Sequence, residues 1–175
     1  IMKSIKYFFL ILIILTVSNV NSIAETPYYL NFKQILNQSD AGKKAQTFLK
    51  SKLDKGLKDL KTKEKKIQEE EKKIREQKKL ISPEEYKKKV SELRNKVSKL
   101  QKERNDLLGD VANQRSKARN ELLKNLNPII KNYMSEKNIK MIIDKKNLLL
   151  ADESLDITKD IMVLLNKKLK SIKIE

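Results

Sequence analysis

The feature that most constrains this chain is a pair of long apolar stripes broken once, at Ser82-Pro83-Glu84-Glu85. Before the break, apolar residues recur every seven positions: Leu53, Leu60, Ile67, Ile74 and Ile81. After it they alternate by threes and fours: Tyr86, Val90, Leu93, Val97 and Leu100, then Leu107 and Val111. Both spacings are helical, because the turn of the helix returns such positions to one face. The second stripe is a full coiled-coil seam. The first is thinner, since Glu64, Glu71 and Lys78 hold its alternate positions. Charges there weaken a two-helix seam, so the outer arm should be pliable and incompletely buried.

The break itself reads as a helix start. Ser82 can accept from a backbone N–H, Pro83 suits the first helical position, and Glu85 completes a capping box. A helix does not easily run through Pro83, so the chain stops and restarts. Folding back at Ser82 brings the stripes into antiparallel register. Ile74 then meets Val90, Ile67 meets Val97 and Leu100, Leu60 meets Leu107, and Leu53 meets Val111. Each arm would be on the order of 60–75 Å long at ~1.5 Å per residue. The expectation is a helical hairpin over 42–134, with its tip at 81–85.

The N-terminus has a separate character. Lys3 and Lys6 precede an apolar run from Tyr7 to Leu15, a polar stretch, and then Ser22-Ile23-Ala24. A basic start, a short apolar core and small residues before a cut site make a signal peptide over 1–24. The apolar core falls short of the ~20 residues that span a bilayer.

Charge is concentrated on the hairpin. Residues 42–134 hold 28 Lys/Arg against 14 Asp/Glu, a net +14, of a formal +17 for the whole chain. Such an arm attracts acidic partners over roughly a Debye length. The absences matter too. No Cys gives no disulfide, thiolate nucleophile or zinc–thiolate site, and no His removes the commonest proton shuttle. Gly42, Gly56 and Gly109 form no phosphate-cradling pattern. Carboxylates such as Glu69-Glu70-Glu71 sit beside Lys72-Lys73 as an ion-pair ladder rather than an acid–base pair. The sequence offers no catalytic residue, cofactor site or metal site.

The remaining residues, 25–41 and 135–175, read as a small body. Tyr28-Tyr29-Leu30 favours a strand after Pro27, and Asp40 or Ser39 caps the first long helix. Pro128, after Asn127, either kinks the second arm or restarts it. Ile139–Asp144 reads as a strand, Lys145-Lys146-Asn147 as a turn, and Leu148–Ala151 as the partner strand. Thr158 or Asp156 caps a last helix with Ile161, Leu164, Leu165 and Leu169 on its inner face. The fold class is therefore α+β: a long antiparallel helical hairpin projecting from a small β-body and closed by a C-terminal helix. A body of 58 residues with exposed strand edges is marginal alone, so self-association is expected. The candidates for that contact are Tyr28, Leu30, Met141, Ile143, Leu148 and Leu150.

Four places together resemble the OmpH/Skp family of periplasmic chaperones. They are Tyr28–Leu36 running into Leu36-Asn37-Gln38-Ser39-Asp40-Ala41-Gly42, the tip Leu80–Glu85, the segment Asn138–Ala151, and Leu155-Asp156-Ile157-Thr158. Asn31 departs from the Asp that relatives often carry, and the lysine content is very high. The resemblance implies a homotrimer whose arms enclose a cavity and hold unfolded outer-membrane proteins in the periplasm, without nucleotide.

On that reading the client contacts would lie near the tip, at Ile74, Ile81, Tyr86, Lys87, Lys88, Lys89 and Val90. Many weak contacts from several arms give avidity without a deep pocket. An anionic membrane surface is a further candidate partner for the basic arms. Two rivals come from other classes. A basic helix can bind nucleic acid through phosphates, but an exported protein does not meet the chromosome, so no nucleic-acid partner is expected. The other rival is a structural coiled-coil spacer of the envelope, still tethered by its apolar N-terminus.

Overall fold

The computed structural model describes residues 26–174, so the expected signal peptide lies outside the described residues. In chain order it comprises strand β1 (Tyr28–Leu30) and helices α1 (Phe32–Gln38), α2 (Asp40–Gln77) and α3 (Pro83–Glu136). Strand β2 (Ile142–Asp144), two single 3-10 turns and helix α4 (Thr158–Lys168) complete it.

The two long helices form the expected hairpin. At ~1.5 Å per residue, the 38 residues of α2 and the 54 of α3 extend about 57 and 81 Å. Their register is antiparallel and even along the whole arm. Lys52 pairs with Asp110, Lys63 with Glu103, Glu64 with Arg104, Glu70 with Lys96, and Gln77 with Lys89. The inner half of the seam is well buried, with Leu49, Val111, Ala118, Leu122 and Leu126 all closed off. Further out, only Leu60 and Ile74 are fully buried. Leu53, Ile67, Val90, Leu93, Leu100 and Leu107 are half-buried, and Val97 is exposed. The charges at Glu64, Glu71 and Lys78 leave the outer seam thin, as the heptads indicated.

Helix ends follow from local chemistry. Ser82 Oγ accepts from Glu85 N–H at 3.2 Å with Pro83 at the first position. The reciprocal half of a capping box is not what Glu85 makes; its carboxylate faces Lys89 at 3.4 Å. At the other end of α2, Ser39 is wholly buried and its Oγ accepts from Gly42 N–H at 3.2 Å. A Cβ on Gly42 would sit 2.0 Å from the Leu36 carbonyl oxygen, so only glycine lets α1 fold back this closely on α2.

Helix α3 runs unbroken through Pro128, so Asn127 is not a cap and the proline does not restart the helix. It ends in a Schellman turn. Asn138 takes φ 55°, its N–H donates to Ser135 O, and Ile139 N–H donates to Met134 O at 2.8 Å. That turn reverses the chain into β2.

The body differs from expectation in its sheet. β2 pairs in parallel with β1, Tyr28 opposite Ile142 and Leu30 opposite Asp144. The residues expected to form β2's antiparallel partner, 148–151, are not a strand: Lys145–Asn147 is a 3-10 turn and Leu148 follows it extended. Asp144 ends the strand by accepting from Lys146 N–H, which starts the turn and carries Leu148 away from the sheet. β1 gains a second neighbour instead, a single parallel bridge from Tyr29 to Asp156, with Ile157 N–H donating to Tyr29 O at 3.0 Å.

Beneath the sheet lies the core: Leu30, Ile35, Leu126, Ile129, Ile157, Ile161 and Leu165. It joins strand, arm base and closing helix into one unit. Polar ties hold the junctions. Asn31 Oδ1 accepts from Gln34 N–H to cap α1, while Asn31 N–H donates to Thr158 Oγ1, each at 2.9 Å. Asn caps a helix as well as Asp does, so Asn31 costs α1 no cap. Asp156 Oδ1 accepts from Thr158 N–H at 2.9 Å, and Asp40 N–H donates to Asn166 at 2.8 Å.

Candidate functional site

The surface that distinguishes this protein is the arm, and its two flanks differ. A helix advances about 100° per residue, which sets which residues share a flank. Lys52, Lys63 and Glu70 fall to one side of the Leu53–Leu60 line, and Lys50, Leu57 and Glu64 to the other. On the first flank three ion pairs cross between the helices: Lys52–Asp110, Lys63–Glu103 at 2.6 Å and Lys96–Glu70 at 2.6 Å. The hydrogen bond from Lys63 holds the Glu103 carboxyl below its usual pKa despite opposition from desolvation. On the second flank the crossing ion pair among the described residues is Arg104–Glu64, and it is long at 3.7 Å. Leu57, Leu108 and Val97 stand open on this flank, each between 43% and 49% exposed.

At the foot of the second flank the arm meets the body in an open groove. Phe32 and Leu36 of α1, Leu53 of α2 and Val111 of α3 give it an apolar floor, with Lys50 and Arg115 on its walls. On the seam nearby, Gln114 is buried with its amide oxygen unpaired. It occupies an inward position of the α3 heptad that an apolar residue would fill at lower cost.

The tip residues singled out from the sequence come together, but unequally. The Lys78 ammonium lies 5.8 Å from the centre of the Tyr86 ring, and Lys89 bridges Gln77 at 3.1 Å and Glu85. Ile81, Tyr86 and Val90 are half-buried, and Lys87 and Lys88 are exposed. Ile74 is only 5% exposed and belongs to the seam, so it meets another molecule only if the outer arm opens. Leu80, which fits no stripe position, is instead the most open apolar residue at the tip, at 81%. Sequence reasoning passed over it, although an apolar residue off the heptad beside a helix break is the available signal.

On the body, Leu30 is fully buried by its own chain and is not free to contact a second copy. Tyr28 and Ile143 are half-buried in the two paired strands, and Leu148 is half-buried outside any strand. Met141, Leu149, Leu150 and Val163 are exposed, Leu149 and Leu150 almost wholly. Leu150 therefore offers an apolar surface, though not as the strand residue expected. β2 has an open outer edge among the described residues.

Two titratable groups at junctions of the body depart from their ordinary values. Burial pushes the Tyr133 hydroxyl up to about 12, helped by its 2.6 Å hydrogen bond to Asp160. Burial works to raise the Asp156 carboxyl, but its bonds to Thr158 and the Lys145 ammonium outweigh that and lower it. Both positions tie structure together. Among the described residues, no group of three metal-ligating side chains comes together.

These features define a class: a long coiled-coil hairpin levered from a small sheet-and-helix body. The family model described as outer membrane protein (OmpH-like) matches residues 28–165, and the chain belongs to that family. No curated protein matches the sequence. Among solved structures, it is similar to a candidate outer membrane chaperone (OmpH-like) from Caulobacter crescentus. The TM-score is 0.79 at 18% identity, covering 86% of this chain and 90% of that one, a likeness of fold.

Proposed function

We propose that this protein is an ATP-independent holdase that binds unfolded outer-membrane proteins in the periplasm and keeps them from aggregating in transit. It acts as a homotrimer, exported by a cleaved signal peptide over 1–24. The observation that carries the reading is the loose outer hairpin on a basic arm. A rigid spacer would be expected to close its seam, whereas this one leaves half-buried and exposed apolar residues beside unpaired positive charge. Membership of the OmpH-like family and the fold shared with a candidate outer membrane chaperone support it.

Mechanistically, cations on the arm speed the approach of acidic unfolded chains, and shallow apolar contacts then hold them. Holding needs no covalent step, so the protein is not an enzyme and needs no cofactor on this reading. The exposed body residues Met141, Leu149 and Leu150 are offered as trimer contacts, with Tyr28 and Ile143 beside them. The tip residues Ile81, Tyr86, Val90 and Lys87–Lys89 are offered as client contacts.

The test is to dilute a urea-unfolded outer-membrane barrel into buffer with the mature protein and follow light scattering. Aggregation should be suppressed equally with and without ATP. Scattering that matches the protein-free control would sink the proposal and leave the structural-spacer reading.

A further inference from the structure

We infer that the flank of the hairpin without the tight ion pairs, from the groove at its foot up to Val97, is a track for an extended acidic segment of unfolded polypeptide. The inference rests on the chaperone reading above and assigns the surface that does the holding.

Three observations meet there. The track is continuous: Lys50 and Arg115 line the groove, and Leu57 and Leu108 lie two helical turns further along from each, prolonging its walls toward the tip. The charge at its foot is one-sided. Lys33, Lys50, Arg115 and Arg119 line the groove and take part in no ion pair among the described residues, whereas Asp144, its acidic residue, already faces Lys146 at 3.5 Å. The opposite flank suits such a role less: it has a smaller groove, between Ile67 and Leu100, but Lys63 and Lys96 there are spent on Glu103 and Glu70, as Lys52 is on Asp110.

The lining also favours polypeptide over an acyl chain. Asn37, Gln46 and Thr47 line the groove. Gln46 already donates to Asn37 Oδ1 at 2.7 Å, which leaves the Asn37 amide N–H groups, the Gln46 carbonyl and the Thr47 hydroxyl to pair with the peptide groups of an extended chain, whereas a hydrocarbon would dry these without a partner. From Arg119 to Val97 the track is about 33 Å long, room for about ten residues of extended chain. Acidic side chains would meet the rim cations while apolar ones cover Leu57, Leu108 and Val97.

The test uses the full mature protein and a fluorescein-labelled peptide of about a dozen residues alternating Leu or Tyr with Asp or Glu. A benzophenone side chain is placed at Leu57 or Leu108 on the track, or at Lys66 or Lys99 on the other flank. Crosslinks are expected from the first pair and not the second. The Leu57→Gln/Leu108→Gln double variant should bind the peptide about five- to tenfold more weakly. Lys50→Glu/Arg115→Glu should weaken it as well, but not a lysine-for-acid version of the peptide. Circular dichroism should be unchanged, since all four side chains are solvent-facing. Equal crosslinking from both flanks, or undiminished binding by both double variants, overturns the track. Crosslinks between copies of the chain with a changed particle mass, or loss only of binding to phosphatidylglycerol vesicles, overturns it in favour of an interface or a lipid site. Barrel aggregation run in parallel separates the two readings. If wild type and both variants suppress it alike, the chaperone stands and the track falls; if wild type does not, both fall.

Discussion

Gly56 and Gly109 lie at the same level of the hairpin, one on each helix, yet the same substitution should have opposite effects at the two. A Cβ on Gly109 would meet nothing within 4 Å, whereas one on Gly56 would lie 2.5 and 2.7 Å from the Leu107 methyls and 3.2 Å from its Cγ. Alanine is better than glycine in a helix interior by about 0.8–1 kcal/mol. Gly109→Ala should gain that amount outright. Gly56→Ala gains it too, but must displace a leucine pressed on it by all three terminal carbons, and overpacking of this kind costs about 1–3 kcal/mol. The net is a loss of up to about 2 kcal/mol, so the two variants should differ by roughly 1–3 kcal/mol.

The assay is urea unfolding followed by circular dichroism at one fixed protein concentration, since association would make the midpoint concentration-dependent. Gly109→Ala should raise the midpoint and Gly56→Ala lower it or leave it unmoved. Adding Leu107→Ala to Gly56→Ala should cost less than Leu107→Ala alone, because the added methyl fills part of the space vacated. If Gly56→Ala stabilises as much as Gly109→Ala, the helices do not approach at that level and the register argued from the ion pairs is wrong.

Other outcomes follow from single contacts. Ser82→Ala removes the oxygen that caps α3 and should cost about 1 kcal/mol, loosening cross-tip distances in a spin-label experiment while leaving the body signal intact. Met141→Lys with Leu149→Lys should lower the particle mass in light scattering from three chains toward one; a wild-type protein that is already a monomer refutes the trimer. Asp156 has a folded pKa below its ordinary 3.8, so its contribution to stability is present above that value and lost as pH falls through the lower folded value. Asp156→Asn should therefore flatten the loss of stability on acidification below about pH 4, and an unchanged acid limb refutes the assignment. Raising salt from 0.1 to 1 M shrinks the Debye length from ~10 to ~3 Å; capture of an acidic barrel in stopped flow should slow several-fold more than release speeds, and salt-independent capture refutes the electrostatic half of the mechanism.

The arm was legible because its determinants are local and periodic. A heptad stripe, a Ser-Pro-Glu-Glu break and a matching second stripe leave one economical arrangement, and the crossing pairs follow from where the chain turns. The body was less so. Leu148-Leu149-Leu150 has strand-like composition, and its fate turned on Asp144, whose carboxylate takes the Lys146 N–H and winds the next three residues into a 3-10 turn. A short apolar run cannot report that competition. Nor can it report that β1 would seek β2 from over a hundred residues away in parallel, since a three-residue strand has too few alternations to fix a partner. At Pro128 the sequence left a kink and a restart both open, and packing excluded the restart. The core formed by Leu126 and Ile129 with α4 holds the helix in place on both sides of the ring, and tertiary packing overrode a local breaker.

The two flanks of the arm carry a further point about what heptads encode. The a and d positions set which residues face the partner helix, but the positions beside them decide what the outside world meets. Here the flank bearing Lys52, Lys63 and Glu70 has these charges matched across the seam, so three ion pairs tie its edges together. The flank bearing Lys50, Leu57, Leu108 and Arg115 has only the long Arg104–Glu64 pair among the described residues, so its leucines and the cations at its foot remain outward. A two-helix arm symmetric in these positions would bury or expose both sides alike. The asymmetry costs the hairpin cross-helix contacts it could have made, and that forgone stability is what leaves one face of the arm able to engage something other than itself.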